Sequence, residues 1–596
     1  MEQKALQPKQ YNLLWYGLLH AFICLAVLGL ILFVGNAHAA KGAGCGVGGG
    51  GGVGGGAGGG FCPNPVAPLP PMPAQFDITG FMQKATLDSA GEICQVSDRR
   101  LQGGTVKLNG ITVVVPCNTI LQMPAATLTW QELFSLAPRD IGLPIGADGI
   151  STQTGLALAD HVTTPHTNPL PSYEIQVQGN VVNGQYIAGL IFISQQSLNI
   201  AQGTITQIDY NNGELLIAVN GPTPSKARVR INDPLGRYGL SHGAPGSRAV
   251  LVEPNYDERF SIDEESPTIH SATGFPMCIP RFEPDPLNNV DDPLCPQFNR
   301  PRAPNCASLP APWSAFAMPA SGQLCTSFMM PPPSNSASAC TGENCPPDPS
   351  FQAPFKVGDH IEFLGTLKTD AFGQYISAHT ISASVGIYTT PGIMPAYLSI
   401  EMLQQGTGSQ PVANTPQEST TRVRVVGFST DPSQLVDIYA VDVNPATGEI
   451  TDRLLGAANP SGPPVVGRFR FVPATGAFLP PPRELRVVSR TLCGDPSQPC
   501  RLGNNPTTYA NGIIAGQYHA PNFEFIFAEN LLAGDALVPA DFQDLPFLFC
   551  GSGPLSTPTG GDNGPVVHQL DPAPWALPMI TPYAWVTTCP NEKRIN

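Results

Sequence analysis

The sequence predicts an all-β protein made of tandem five-stranded barrels of the OB type, joined by long Pro- and Gly-rich loops. Three observations lead there. Gly and Pro (62 and 65 of 596 residues) interrupt nearly every window long enough for an amphipathic helix. A short step, Gly-Gln-Tyr followed by an apolar strand, occurs three times, at Gly184-Gln185-Tyr186, Gly373-Gln374-Tyr375 and Gly516-Gln517-Tyr518. The first of these closes a series of three strands, a helix and two strands, which is the connectivity of a five-stranded Greek-key barrel.

The elements of the first module, residues 75–200, are read in order. Phe76–Met82 alternates as a strand. Gly104–Val115 holds two strands around the Asn109-Gly110 turn. Thr129-Trp130-Gln131-Glu132 is a capping box that opens a short helix. Tyr173–Val182 and Gln185–Ser194 are the fourth and fifth strands. The second module, 201–385, repeats the order with Gly203–Ile208, Glu214–Val219, Ala227–Ile231, His360–Leu367 and Gln374–Ala383. Ile361-Glu362-Phe363-Leu364-Gly365 aligns with Ile175-Gln176-Val177-Gln178-Gly179. A Cys- and Pro-rich insertion, about 235–355, interrupts this module. It has little periodic patterning, so disulfides are expected to order it locally. Residues 386–420 read as a linker. A third module, 421–532, is expected from Arg422–Phe428, Val436–Asp442, Arg468–Pro473, Glu484–Ser489 and Gly516–Phe527. A Pro-rich segment, 533–596, follows.

The N-terminus carries an address. Lys4 and Lys9 precede an uncharged apolar run, Leu13–Gly35, and Ala37-His38-Ala39 offers the small-x-small pattern of a signal peptidase site. Residues 1–39 are therefore a cleaved signal peptide or an N-terminal membrane anchor, since the run is long enough to span a bilayer. Lipidation at Cys45 is disfavoured because Gly42 stands where an apolar residue belongs. Residues 40–74, Gly-rich and then Pro-rich, read as a flexible tether. A nucleotide-binding glycine loop would need a strand before it and a helix after it.

Cysteine usage agrees with export. Apart from Cys24 in the apolar run, 14 cysteines remain, an even number. Taken as neighbours they form the pairs Cys45/Cys62, Cys94/Cys117, Cys278/Cys295, Cys306/Cys325, Cys340/Cys345, Cys493/Cys500 and Cys550/Cys589. Connectivity does not follow from sequence, but an oxidising compartment does. The expected location is periplasmic, cell-surface or extracellular.

The formal charge of −15 argues against a nucleic-acid partner, which needs a basic face. Candidate chemistry is sparse. Gly239-Leu240-Ser241-His242-Gly243 matches a nucleophile elbow, but Pro245 and Gly246 prevent the helix that would complete it. His161 and His166 flank Pro165 and match no helical ligand pair. Acidic clusters at Asp257-Glu258, Asp263-Glu264-Glu265, Asp285 and Asp291-Asp292 are the kind of oxygen set that Ca²⁺ takes, without EF-hand spacing. No catalytic residue, resident cofactor or metal is assigned from these. The repeated Tyr186, Tyr375 and Tyr518 are read first as cross-strand register pins and second as stacking platforms for a sugar.

The step Gly365-Thr366-Leu367, then Gly373-Gln374-Tyr375-Ile376-Ser377-Ala378-His379-Thr380-Ile381, resembles the closing hairpin of OB-like modules in uncharacterised secreted bacterial proteins. The resemblance implies export and a β-barrel module and brings no catalytic residues. The leading expectation is an exported, non-enzymatic envelope or extracellular scaffold with a protein or glycan partner, touching membrane only through an uncleaved N-terminus. An extracellular hydrolase of glycan or ester and an array of carbohydrate-binding modules are the alternatives. Any activity is expected as a polar pocket in residues 235–355.

Overall fold

The computed structural model describes residues 74–88, 102–116, 119–124, 127–138, 142–161, 173–182, 184–194, 200–219, 225–241, 257–263, 266–283, 285, 291–314, 318–333, 346–407, 423–443, 450–460, 466–473, 484–493, 495–499, 513–521, 524–527, 552–555 and 566–569. The expected signal segment, tether and most of the C-terminal segment lie outside these residues.

The first module is a closed barrel of β1 (Ala74–Leu87), β2 (Gly104–Leu108), β3 (Ile111–Val115), β6 (Glu174–Val182) and β7 (Gln185–Ser194). The chain between β3 and β6 adds β4 (Ile120–Gln122) and β5 (Thr127–Thr129), which extend the sheet beyond β7, and then helix α1 (Trp130–Ser135). β1 pairs antiparallel with both β2 and β6, and β3 meets β7 in parallel, with Val113 opposite Tyr186. That is OB order, as expected. The capping box also forms. The Thr129 hydroxyl accepts from the Glu132 amide at 3.2 Å, and the Glu132 carboxylate accepts from the Thr129 amide at 2.9 Å. The helix drives Trp130, Leu133 and Phe134 fully into the barrel core. The Trp130 indole N–H donates to the Thr86 carbonyl at 3.0 Å, so its polar edge is satisfied.

The second barrel uses β8 (Ile200–Asp209), β9 (Glu214–Val219) and β10 (Ser225–Ile231). The insertion follows, with the short strands β11 (Ile269–Ser271), β12 (Met277–Cys278), β13 (Ser327–Met330) and β14 (Ala353–Pro354). β15 (His360–Asp370) and β16 (Gly373–Ala383) complete the barrel, and β10 runs parallel to β16 from Val229/Ile376 to Ile231/Ala378. The aligned glycines now have a shared physical role. The pairing slips by one residue between Gln178 and Gly179 in the first barrel, and between Leu364 and Gly365 in the second. At this bulge a Cβ on Gly179 would lie 2.0 Å from the Ile187 carbonyl oxygen, and one on Gly365 would lie 2.3 Å from that of Ser377. The turn glycines Gly184, Gly373 and Gly516 all have positive φ (81°, 111° and 83°), which explains the recurring Gly before Gln-Tyr.

The insertion is packed, in contrast to the patternless loop expected from its sequence. Tyr238, Phe275, Met277, Phe328 and Phe355 belong to the same core as the strands of barrel 2. β11 extends the barrel sheet in parallel with β16, and β12 pairs with β14. These partners are far away in sequence, so no local periodicity betrays them. The insertion also enters barrel 1. Phe260 is fully buried in that core with its ring 5.3 Å from Tyr173. Arg259 donates from Nη1 to the Leu133 carbonyl at the end of α1 (2.7 Å) and to the Thr154 carbonyl (2.8 Å). Asp257 neutralises it at 2.8 Å.

The expected third module differs. Its five strands form as β19 (Val423–Ser429), β20 (Val436–Val443), β22 (Arg468–Phe471), β23 (Glu484–Ser489), and β24 with β25 (Gln517–Pro521, Glu524–Phe527). Two more join them. β18 (Leu398–Thr407) lies in the stretch read as linker, as does β17 (Gly386–Thr389), and β21 (Ile450–Ala458) was not anticipated. The result is two four-stranded sheets, β22-β19-β18-β25 and β21-β20-β23-β24, around one core that includes Leu398, Ile438, Phe469 and Tyr518. In the second sheet β20, expected as the second strand, stands between β21 and β23, where the first strand of a barrel would be. The strand that should close it, β22, pairs with β19 instead. The linker reading fails because β17 finds its partner in the insertion strand β13 and β18 finds β19 across residues 408–422.

Two outcomes are expected. Arg259→Leu leaves Asp257 buried without its partner and two carbonyls without donors, so chemical denaturation should register a loss of about 3–5 kcal/mol. Asp257→Asn combined with Arg259→Leu should recover part of it. Gly365→Ala forces Cβ into a backbone oxygen and should destabilise by at least the ~1–3 kcal/mol of ordinary overpacking, whereas Ala at the exposed Lys226 position should be nearly silent.

Candidate functional site

The three repeated tyrosines start the site. Tyr375 is buried at the mouth of barrel 2, and its ring carries the Arg230 guanidinium at 4.3 Å. Arg228 and Arg230 project from β10 to Glu214 on β9 and Asp370 on β15. Arg228 reaches Glu214 at 2.8 Å and Asp370 at 2.9 Å, and Arg230 reaches the same two carboxylates at 2.9 and 2.6 Å. Burial pushes the Asp370 carboxyl up, but the hydrogen bonds from Arg228 and Arg230 outweigh it and hold Asp370 well below the ordinary carboxylate range. Tyr518 is buried in the core of the third region, and burial pushes its hydroxyl far up. Tyr186 is half-buried with its ring edge-on to Phe76 at 5.1 Å. The Tyr186 ring packs within barrel 1 and the Tyr375 ring within barrel 2.

The remaining predicted groups are dispersed and mostly engaged. Ser241 donates from Oγ to the Pro234 carbonyl at 2.5 Å, which closes its own loop, and His242 lies outside the described residues. His161 ends a short 3₁₀ turn, Leu158–His161, and His166 lies outside the described residues. Asp257 serves Arg259 and caps the turn Glu258–Phe260. Asp263 accepts from the Ser266 amide at 2.9 Å. Asp291 accepts from the Gln297 amide, and Asp292 pairs with Arg281 at 2.9 Å. Asp285 is half-buried, and Glu264 and Glu265 lie outside the described residues. Among the described residues no three His, Cys, Asp or Glu side chains are grouped to hold a metal.

Two predicted disulfides are present, Cys278–Cys295 and Cys306–Cys325, both in the insertion, and Cys493 is disulfide-bonded as well. Cys45, Cys62, Cys94, Cys117, Cys340, Cys345, Cys500, Cys550 and Cys589 lie outside the described residues.

No protein-family model, curated protein or solved structure matches this chain.

The cleft that stands out is not in the insertion. It lies against barrel 1, has a volume of about 720 Å³, and is lined by Lys84, Asp88, Gln102, Asp148, Ser151 and Asp160 among others. Its size is that of a small-molecule pocket. Its acids are partly committed to structure. Asp160 accepts from the Thr154 hydroxyl and the Gly155 amide, both at 2.9 Å, and Asp148 accepts from the Ile150 amide at 3.1 Å. Lys84 is exposed on its rim. Sequence reading missed this cleft because its walls come from β1 and from the loop 146–153, which no motif connects.

A few of the insertion's polar groups reach other modules. Ser266 Oγ accepts from the His519 amide and donates to the His519 carbonyl, both at 3.2 Å. Tyr397 donates to the Pro349 carbonyl at 2.8 Å while its ring meets Phe275 at 4.9 Å. Arg259, Ser266 and Phe275 thus tie barrel 1, the third region and barrel 2 to one segment.

His379 on β16 is buried, and desolvation pushes its imidazole down to about 4. A group whose folded pKa is lowered binds fewer protons than its unfolded counterpart near 6.5. The neutral ring therefore contributes full stability above pH 6.5, and that contribution fades as pH falls toward 4. Asp370 adds a second loss at still lower pH, below the ordinary carboxylate range. Thermal unfolding across pH should show both limbs, with His379→Gln weakening the first and Asp370→Asn the second.

Proposed function

We propose that this protein is an exported, non-enzymatic scaffold of the cell envelope or extracellular space, in which barrel modules are held in fixed relation to present a binding surface. The observation that carries the reading is the insertion. A hydrolase would place polar groups of such a segment around a pocket. Here Arg259 and Ser266 are spent on contacts between modules, and Asp257 on neutralising Arg259. Two disulfides staple the same segment, which supports residence in an oxidising compartment. The apolar run Leu13–Gly35 supports export by a signal peptide or an anchor. Among the described residues no helix is long and apolar enough to cross a membrane.

A binding role has its own support in the cleft of barrel 1, about 720 Å³, whose mixed polar and apolar lining suits a small ligand such as a glycan end. The buried Tyr375 and Tyr518 weigh against an array of stacking platforms.

Cell fractionation with thiol alkylation tests the reading. The expected result is protein in the exported fraction with Cys278, Cys295, Cys306 and Cys325 protected from alkylation until reductant is added. Free thiols in cytoplasmic protein would overturn it. A glycan array probed with wild type and Lys84→Ala should show binding that falls in the variant if the cleft is used. An activity found by substrate screening and lost in Ser241→Ala would replace the scaffold by a hydrolase.

A further inference from the structure

The cleft of barrel 1 is lined by charges of both signs that do not pair with one another. Lys84 stands on β1, and Lys107 of β2 is its direct partner across the sheet. Both are exposed, so two like charges lie side by side on that sheet. Asp148 and Asp160 line the same cleft from the loop 146–153 and the turn Leu158–His161. A third acid, Asp88, follows the end of β1. Among the described residues the Lys84 ammonium has no ion pair within 4.0 Å and no hydrogen bond. The cleft keeps it apart from the carboxylates that line the same space.

Two of the carboxylates are held in place and half used. Asp160 Oδ2 accepts from the Thr154 hydroxyl and the Gly155 amide, each at 2.9 Å, and from the amides of Thr154 and Ala157 at 3.2 and 3.3 Å. Asp148 Oδ1 accepts from the Ile150 amide at 3.1 Å. The second oxygen of each, Asp160 Oδ1 and Asp148 Oδ2, accepts from no described residue. Ala85, Leu87, Ile150 and Ala159 make the lining between these groups partly apolar. A neutral ligand would displace water from an ammonium and two carboxylate oxygens without pairing them. A simple anion would meet Lys84 but be repelled by the acids, and a simple cation would meet the reverse. A molecule that carries both signs matches both sets of charges.

We propose that the cleft binds a small zwitterion, with the ligand carboxylate on Lys84 and the ligand ammonium on Asp148 and Asp160. A short peptide and an amino sugar acid share this chemistry. The inference rests on the reading of this cleft as a binding site and narrows its ligand, since a neutral glycan end carries neither charge.

Ligand-observed NMR titration of the oxidised full chain with alanylalanine, and separately with glucosaminuronic acid, provides the test, and the arm that binds names the source. Binding of at least one is expected. N-acetylation removes the ammonium and amidation removes the carboxylate, and each should weaken binding roughly tenfold to hundredfold. Lys84→Ala should erase the penalty of amidation while keeping that of acetylation. Asp148→Asn should shrink the penalty of acetylation, and Lys226→Ala on barrel 2 should bind as wild type does. All three positions are exposed, so the variants keep the fold. Absence of binding by both zwitterions would overturn the proposal, as would equal binding of the parent, acetylated and amidated forms. A neutral disaccharide that binds wild type better than either zwitterion, and is lost in Lys84→Ala, would keep the cleft as a site and still overturn the zwitterion. Cell fractionation, by contrast, bears only on the scaffold reading.

Discussion

The Asp257–Arg259 pair, buried between two modules, is the constraint on which the arrangement of this protein depends. Arg259 belongs to the insertion of barrel 2, yet its guanidinium satisfies carbonyls of barrel 1, one of them at the open end of α1. A helix of six residues has unsatisfied carbonyls that water cannot reach once the barrel end is covered. Covering that end with Phe260 requires a donor, and the donor requires a counter-ion. Desolvation pushes the Asp257 carboxyl up, and the charge and hydrogen bonds of Arg259 more than reverse it. Such a pair adds little net stability compared with apolar packing, but it tolerates few alternative arrangements. Its most direct effect is to set one docking geometry for the insertion on barrel 1.

From that point the insertion works as an internal strut. Its β11 prolongs the sheet of barrel 2, Phe275 meets Tyr397, and Ser266 exchanges hydrogen bonds with His519. His519 directly follows the third Gly-Gln-Tyr step. The repeat and the insertion, which look unrelated along the chain, therefore meet in space. The barrels themselves follow a simpler rule. Closure needs a parallel pair between the third and fifth strands, and the fourth strand carries a bulge where it pairs with the fifth. Gly179 and Gly365 sit at that bulge because a carbonyl occupies the space a Cβ would need. In the third region β22 is drawn off by β19, so the barrel stays open and two sheets share a core.

Several of these features were legible in the sequence for definite reasons. The capping box Thr129–Glu132 is a local motif, and it forms as read. Strands of barrels 1 and 2 alternate, and their turns carry Asn-Gly or Gly. Neighbouring cysteines in a stretch without local periodicity were paired correctly at Cys278–Cys295 and Cys306–Cys325 because short loops close cheaply. What escaped was non-local. β17 and β18 lie between Pro-rich flanks and gain their partners from segments far away. The cleft of barrel 1 and the charged mouth of barrel 2 each collect residues from three or more elements. No spacing rule links Glu214, Arg230 and Asp370.

By itself the sequence determined that the chain is all-β, that barrels 1 and 2 follow OB strand order, and where glycine and the helix cap must stand. Periodicity, turn chemistry and capping act over a few residues, so they can be read one after another. Tertiary structure alone decided that the insertion is a packed strut and that the third region opens into two sheets. It also decided that Tyr375 and Tyr518 are interior residues. Each of those outcomes depends on which distant surface a segment buries against, and burial competes among all surfaces of the chain at once. The repeated Gly-Gln-Tyr step shows the division plainly. Its turn was set by glycine, whereas the surroundings of each tyrosine were set by what the rest of the molecule packed around it.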